Sequence, residues 1–445
     1  LKIHPSEERL EELFLSTGGD RQALVQHLIQ CASCRERLLR LPRPGTGGSR
    51  YTALDYGEAF DAAARTLCGQ AAALACERDS AIEQVGELTA AQPAEREAML
   101  REERYQTWGV FELLVDRAQE TSVADPVWAQ ELAVLALSLS ERLSPALYRP
   151  ELVEDLRARA WAYLGNARRL TSDLRGAAEA FAAAEERLRK GTGDPVERAI
   201  VLDRRASLER DLRHFGEARA TLERAVSIFL RTGESHRAGR SLINLSLVHS
   251  YAGEVEESID ALYRSLSLID PEQEPRTVLC ARHNLAGYLA EAGRSEEALH
   301  LYRSSRSLYR AFPDAWTQNR RKWLKGRINH GLGRRRAAEA FLTAARDGFL
   351  AEGIPYDTAL VSLDLALLYA EQGRSAELKR LAAGMVPLFA SCHIHREALA
   401  ALAFLQHAVE TETASREVVC RVAAYLRKAQ HDPELRWEMG GVRLQ

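Results

Sequence analysis

The apolar positions of this chain recur with helical rather than strand period, which predicts an all-α protein. Leu10, Leu13 and Phe14 mark the buried face of a short first helix, whose start suits Pro5, Glu7 and Glu8. Thr17, Gly18, Gly19 and Asp20 break it, and a second helix from Arg21 to roughly Arg40 turns back against the first, giving a head over residues 1–41. The run Pro42, Arg43, Pro44, Gly45, Thr46, Gly47, Gly48, Ser49 predicts a flexible linker at 42–51. Residues 52–157 are again helical by period, anchored by Trp108, Phe111, Leu114 and Trp128, and are expected to cap a repeat array C-terminal to them.

From 158 to 392 a longer period governs the pattern. Gly253, Gly293, Gly333 and Gly373 recur every forty residues. Five residues after them stand Ser258, Ala298, Ala338 and Leu378, and four further on Leu262, Tyr302, Leu342 and Ala382; Ala177 with Phe181 and Ala218 with Leu222 extend the series backward. Each unit reads as helix, tight turn, helix, with Gly permitting a left-handed turn and small residues permitting close packing. Six units fit, and 393–445 would supply capping helices, with Leu402, Phe404, Val418, Val422 and Leu426 facing inward, and a tail.

The segment WAYLGNARRLTSDLRGAAEAFAAA, with Trp161, Leu164, Gly165, Ala177, Phe181 and Ala184, resembles the tetratricopeptide repeat. The resemblance implies a right-handed α-solenoid, with a period longer than the usual thirty-four or so residues, similar to the variants in bacterial transcription activators and peptide-responsive regulators. It also implies that the first helix of each unit lines a concave face. The inward positions are then Arg159, Tyr163, Asn166, Arg169, Arg204, Arg240, Asn244, His283, Asn284, Trp323 and Arg327. Asn244 and Asn284 share one repeat position and suit the backbone of an extended peptide, while the arginines suit acidic groups. The competing reading is that these groups are solvated or bond neighbouring repeats together.

Composition narrows the function. Lys plus Arg at 60 against Asp plus Glu at 63 leaves a formal charge of -3, so nothing global attracts nucleic acid. One stretch departs from this: Ala315–Ala338 has no acidic residue and carries Arg320, Arg321, Lys322, Lys325, Arg327, Arg334, Arg335 and Arg336 beside Trp316 and Trp323. Residues 320–336 are a candidate nucleic-acid or acidic-protein contact, although a solvated helix face is the plainer account. No apolar run is long enough for a membrane span and no signal pattern opens the chain, which predicts a cytoplasmic protein. Seven scattered cysteines fit a reducing compartment better than a disulfide framework, and Cys68 and Cys76 are expected in a helical core. There is no phosphate loop, dinucleotide fingerprint or nucleophile elbow, so no enzyme is expected.

One constellation carries readable chemistry. His27, Cys31 and Cys34 fall at i, i+4 and i+7 on one helix face, and His4 lies one short helix upstream, which together predict a single structural Zn²⁺ site. The alternative is a metal-free hairpin with these residues in its core. The stretches HPSEERLEELFLS and ALVQHLIQCASCRERL resemble the zinc-binding anti-sigma domain of bacterial regulators over residues 1–41. That resemblance implies a sigma factor as partner and a role in transcription regulation. The second expectation is an interaction scaffold, an adaptor or sensor in a protease or defence assembly, whose array binds a protein or peptide and whose zinc head is purely structural.

Overall fold

A computed structural model describes residues 4–6, 27, 28, 31, 33, 34, 37, 56–122, 125–391, 405, 406, 408–410, 416–429 and 437. The expected linker at 42–51, Leu402 and Phe404 lie outside the described residues. The chain divides into two compact units, Leu1–Glu87 with Trp108–Val110, and Leu88–Thr107 with Phe111–Gln445. Every regular element among the described residues is helical.

The first unit holds the His/Cys cluster and most of helix α1 (Tyr56–Ala90). Gly109, at the start of α3 (Trp108–Thr121), meets α1 closely: an added Cβ would stand 2.5 Å from the Glu77 backbone. The Gly109 amide donates to Glu77 Oε2 at 3.3 Å. Cys76, expected in a core, is exposed: it falls on the face of α1 opposite Val85 and Leu88, which are fully buried.

In the second unit α2 (Pro93–Met99), the part of α3 from Phe111 on, α4 (Pro126–Ser140) and the short α5 (Pro145–Tyr148) precede six helix pairs. These are α6 (Pro150–Leu170) with α7 (Leu174–Leu188), α8 (Pro195–Asp211) with α9 (Phe215–Arg231), and α10 (Ser235–Ala252) with α11 (Val255–Leu268). Then come α12 (Pro275–Glu291) with α13 (Ser295–Ser304), α15 (Ala315–Gly331) with α16 (Arg335–Ala351), and α17 (Pro355–Glu371) with α18 (Ser375–Ser391). Proline opens α6, α8, α12 and α17, where its missing N–H costs nothing. Asp173, Asp194 and Asp314 cap α7, α8 and α15 through their side chains.

The turn inside each pair is one device repeated. Gly253, Gly293, Gly333 and Gly373 have φ of 85°, 78°, 70° and 65°. In the two earlier pairs, where the sequence shows no glycine, Ser172 and Arg213 adopt φ of 66° and 62°. The following amide returns five residues back in all six, from Asp173 to Arg168, His214 to Glu209, Glu254 to His249, Arg294 to Leu289, Arg334 to Asn329 and Arg374 to Tyr369. This bond consumes carbonyls that a helix end leaves open.

Small residues then let the paired helices approach. Ala177, Ala218, Ser258, Ala298 and Ala338, each early in a second helix, are wholly buried, whereas the last pair carries Leu378 at 5% exposure. Phe181, Phe229 and Phe349 fill the space one to three turns on. The fourth pair breaks the pattern: α13 ends at Ser304, Ser305 turns its hydroxyl back onto the Leu301 carbonyl at 2.8 Å, and α14 (Arg306–Ala311) resumes at an angle. At the far end α19 (Arg416–Ala429) lays Val418, Val419, Val422 and Leu426 into a cluster with Leu363, Ala366 and Tyr369, closing off α17.

Candidate functional site

Two places gather chemistry. In the first unit, His4 Nδ1 lies 3.2 Å from Cys34 Sγ and 3.4 Å from Cys31 Sγ, and His27 Nε2 lies 3.2 Å from Cys34 Sγ. All four ligand atoms fall within 4.8 Å of one another. A tetrahedral Zn²⁺ with N and S ligands sets such atoms about 3.3–3.8 Å apart, so the donor set and its spacing fit that ion. The imidazole planes of His4 and His27 stand 86° apart with centroids 5.7 Å apart, which aims two ring nitrogens at one point from different sides. Arg37 donates to the Pro5 carbonyl at 3.3 Å and so ties the segment carrying His4 to the segment carrying the other three. Burial pushes the Cys34 thiol up, neighbouring Cys31 adds to this, and Arg37 opposes both.

In the second unit a cavity of about 1030 Å³ opens on the face carried by the first helices of the pairs. Of the inward positions expected from sequence, Tyr163, Arg204, Arg240 and Asn244 line it. Arg159, Asn166, Arg169, His283, Asn284, Trp323 and Arg327 do not. Most of these bond one first helix to the next: Arg159 pairs with Glu197, Arg169 with Asp211 at 2.5 Å, Arg327 with Glu291 at 3.2 Å, and the Trp323 indole donates to Asp364 at 2.6 Å. Asn166 accepts from Arg169, and Asn284 reaches only Cys280 within its own helix. His283 shares a 2.8 Å hydrogen bond with the Tyr309 hydroxyl; burial, and behind it Arg320 and Arg327, hold its imidazolium form well below the usual histidine range.

The cavity wall contains groups that periodicity does not single out. Gln119 of α3 accepts from Tyr163 Oη at 2.7 Å and from Arg204 at 3.0 Å, while the Arg204 guanidinium lies over the Tyr163 ring at 4.9 Å. Asp203 accepts from Ser241 at 2.6 Å and from Asn244 at 3.2 Å, joining α8 to α10 across the cavity floor. Arg276 pairs with Asp314 at 3.0 Å, and Cys280, Trp316, Glu352 and Ile354 complete the far end. Cys280 keeps accessible surface but sits deep among protein atoms, so burial raises its thiol against the pull of Arg320 and Arg276.

In the basic stretch at 320–336, Arg334, Arg335 and Arg336 are exposed, whereas several cations of α15 pack against neighbouring side chains. Arg321 lies over the Tyr302 and Tyr309 rings at 5.8 and 5.3 Å, Lys325 over Phe341 at 3.9 Å, and Lys322 donates to Asn319. No helix among the described residues is long and apolar enough to cross a membrane.

No family model and no curated protein matches the sequence. Solved structures do resemble it. A Rap protein in complex with competence and sporulation factor has a TM-score of 0.50 at 13% identity, over 72% of this chain and 91% of that one. The apo form of RapI has a TM-score of 0.50 at 12% identity, over 72% and 87%. Aspartyl phosphate phosphatase F from Bacillus subtilis has a TM-score of 0.42 at 12% identity, over 83% and 98%. The chain thus has an all-helical, helix-pair fold of the Rap kind, together with a His/Cys cluster able to hold a metal ion.

Two expectations are corrected by these likenesses. The anti-sigma and transcription-regulation reading rested on 41 residues, whereas the fold shared over 72% of the chain is that of Rap proteins, and the reading is withdrawn. The statement that no enzyme is expected is withdrawn as well. One of the solved structures compared is an aspartyl phosphate phosphatase, and a missing phosphate loop and strand scaffold exclude no activity.

Proposed function

We propose that this chain is an interaction protein that binds a peptide or protein segment in the cavity of its second unit, and that its head is a structural Zn²⁺ site held by His4, His27, Cys31 and Cys34. The observation that carries the first part is the cavity itself: about 1030 Å³, lined by Tyr163, Asp203, Arg204, Arg240, Asn244 and Trp316 from several successive first helices. Fixed donors and acceptors on rigid helices favour an extended polar segment. The Rap likeness, one of its members seen with a sporulation factor, supports the same reading. In it the six pairs are tetratricopeptide-like units with a forty-residue period in a right-handed solenoid. Asn244 with Asp203 and Arg204 forms the partner-facing surface, and Asn284 is a weaker contributor.

The ion would fix the four ligands and hold together a hairpin too short to support a core alone. Bound there, it supplies structure rather than a reaction, since four protein ligands leave no open position. The test is quantitative affinity purification from the native organism with the full chain, alongside Arg204→Ala and Asn244→Ala variants checked for unchanged helicity. Loss of the same partner from both variants is expected. Retention of every partner by both refutes the cavity reading.

A further inference from the structure

Tyr163, Arg204 and Asn244 each stand nine residues before the left-handed turn of their pair, at Ser172, Arg213 and Gly253, so one position of three successive first helices lines the cavity with a phenol, a guanidinium and an amide. That guanidinium differs from the other three in the wall. Arg237 pairs with Glu234 at 3.2 Å, Arg240 with Glu274 at 2.8 Å and Arg276 with Asp314 at 3.0 Å. Arg204 sits deep among protein atoms and forms no ion pair among the described residues. Its neighbours are neutral: Nη2 donates to Gln119 Oε1 at 3.0 Å, and the guanidinium lies over the Tyr163 ring at 4.9 Å. Gln119, which also lines the cavity, is half used. Arg204 can only donate, so the amide oxygen faces it, and that oxygen accepts from Tyr163 Oη as well, at 2.7 Å. The Gln119 N–H2 group, on the other side of the amide carbon, has no partner among the described residues.

Two donor groups, one of them charged, are thus held by an aromatic ring and a shared oxygen in the cavity wall, with N–H bonds left over. A guanidinium at such depth without an anion is costly, and a planar carboxylate matches its parallel N–H bonds. We propose that Arg204 and Gln119 form a receptor for one carboxylate of the bound segment, carried by its C-terminus or by an Asp or Glu side chain. The charge balance selects a monoanion over a phosphate dianion. Arg204 is the one unpaired cation among the four cavity arginines, while Asp203 and Glu120, its chain neighbour and that of Gln119, are acids lining the same cavity. Asp203 leaves Arg204 free because its own oxygens accept from Ser241 and Asn244. This inference rests on the reading of the cavity as a binding groove and narrows it to a chemistry.

The experiment titrates the full chain with N-trifluoroacetyl probes read by fluorine NMR: alanyl-alanine with a free carboxylate, its C-terminal amide, glutamate N-methylamide, the neutral isostere glutamine N-methylamide, and phosphoserine N-methylamide. The expected result is saturable binding of a carboxylate probe at an affinity at least about tenfold above its neutral counterpart. That preference should vanish in Arg204→Gln and in Gln119→Glu, whose new carboxylate fills the receptor from within. The order of the free C-terminus and the glutamate side chain identifies the source of the carboxylate. Equal binding of acid and amide overturns the proposal, as does tightest binding of phosphoserine, or a carboxylate preference that survives in both variants and so belongs to another cation of the chain. If Arg204→Gln fails to fold, Gln119→Glu decides alone, since it closes an ion pair instead of removing a side chain. Partner loss from Arg204→Ala and Asn244→Ala without any carboxylate preference leaves the groove reading standing and overturns only the receptor.

Discussion

Replacing Trp323 by Phe should destabilise the C-terminal half of the second unit, while Trp316→Phe should leave it nearly unchanged. Trp323 gives a 2.6 Å hydrogen bond to Asp364, itself 8% exposed, and its ring stands edge-on to Phe349 with centroids 6.1 Å apart. A hydrogen bond to a charged group contributes about 1.5–3 kcal/mol, and its loss leaves a buried acceptor short of a partner. Phe keeps most of the aromatic contact, so the smaller ring adds roughly 0.5–1 kcal/mol. The sum is about 2–4 kcal/mol for Trp323→Phe. Trp316 is 37% exposed and its N–H bonds to nothing among the described residues, so the corresponding loss is no more than roughly 0.5 kcal/mol, most of it the contact with Arg320. Hydrogen exchange of the α15 and α17 amides reads this local stability directly. Trp323→Phe should speed exchange there by roughly thirtyfold or more, and Trp316→Phe should not. Equal effects from the two variants would mean that the Trp323–Asp364 bond contributes nothing in solution, and the reasoning from its geometry would fail.

Four further outcomes are expected. Metal analysis of never-chelated protein should give one zinc per chain, and Cys34→Ser should lower zinc content and loosen the head; full zinc retention by Cys34→Ser would refute the ligand set. Gly333→Ala should cost about 1 kcal/mol through its positive φ alone, since an added Cβ meets nothing within 4 Å, and Arg213→Gly should be neutral or stabilising; a Gly333→Ala protein that melts with the parent would contradict the turn argument. Burial of Asp211 works against ionisation, but Arg210 and Arg169 outweigh it and hold the carboxyl below its usual range. Its stabilisation is therefore present above the unfolded-state value and lost as pH falls through the depressed one, and Asp211→Asn should flatten that acid limb of the melting curve. Asn244→Ala should lower stability by about 0.5–1 kcal/mol, because Asp203 keeps Ser241 as a donor, while weakening partner capture by more; equal losses in both would place Asn244 purely between α8 and α10.

What the sequence by itself determined is what depends on short range. Helical period arises from residues three and four apart, and it correctly gave an all-helical chain with helices paired in succession. The spacing of His27, Cys31 and Cys34 keeps three candidate ligands within reach of one ion, and the structure brings His4 to them, although Cys31 itself is not helical. The glycines at 253, 293, 333 and 373 marked turns because only a residue without Cβ takes that conformation freely, yet Ser172 and Arg213 take it too, held by the same returning amide bond that no local pattern announces.

Only the tertiary structure decided what each inward side chain does. Whether Arg169, Trp323 or Arg327 meets a partner molecule or a neighbouring helix depends on a residue some forty positions away, and the repeat pattern is blind to it because the partners, Asp211, Asp364 and Glu291, vary from unit to unit. Trp316 and Trp323 look alike in sequence, but one completes a buried bond and the other faces the cavity, because Arg320 stacks on the ring where Arg327 turns toward the acid. Packing between helices settles that choice, and with it which residues remain free to bind something else.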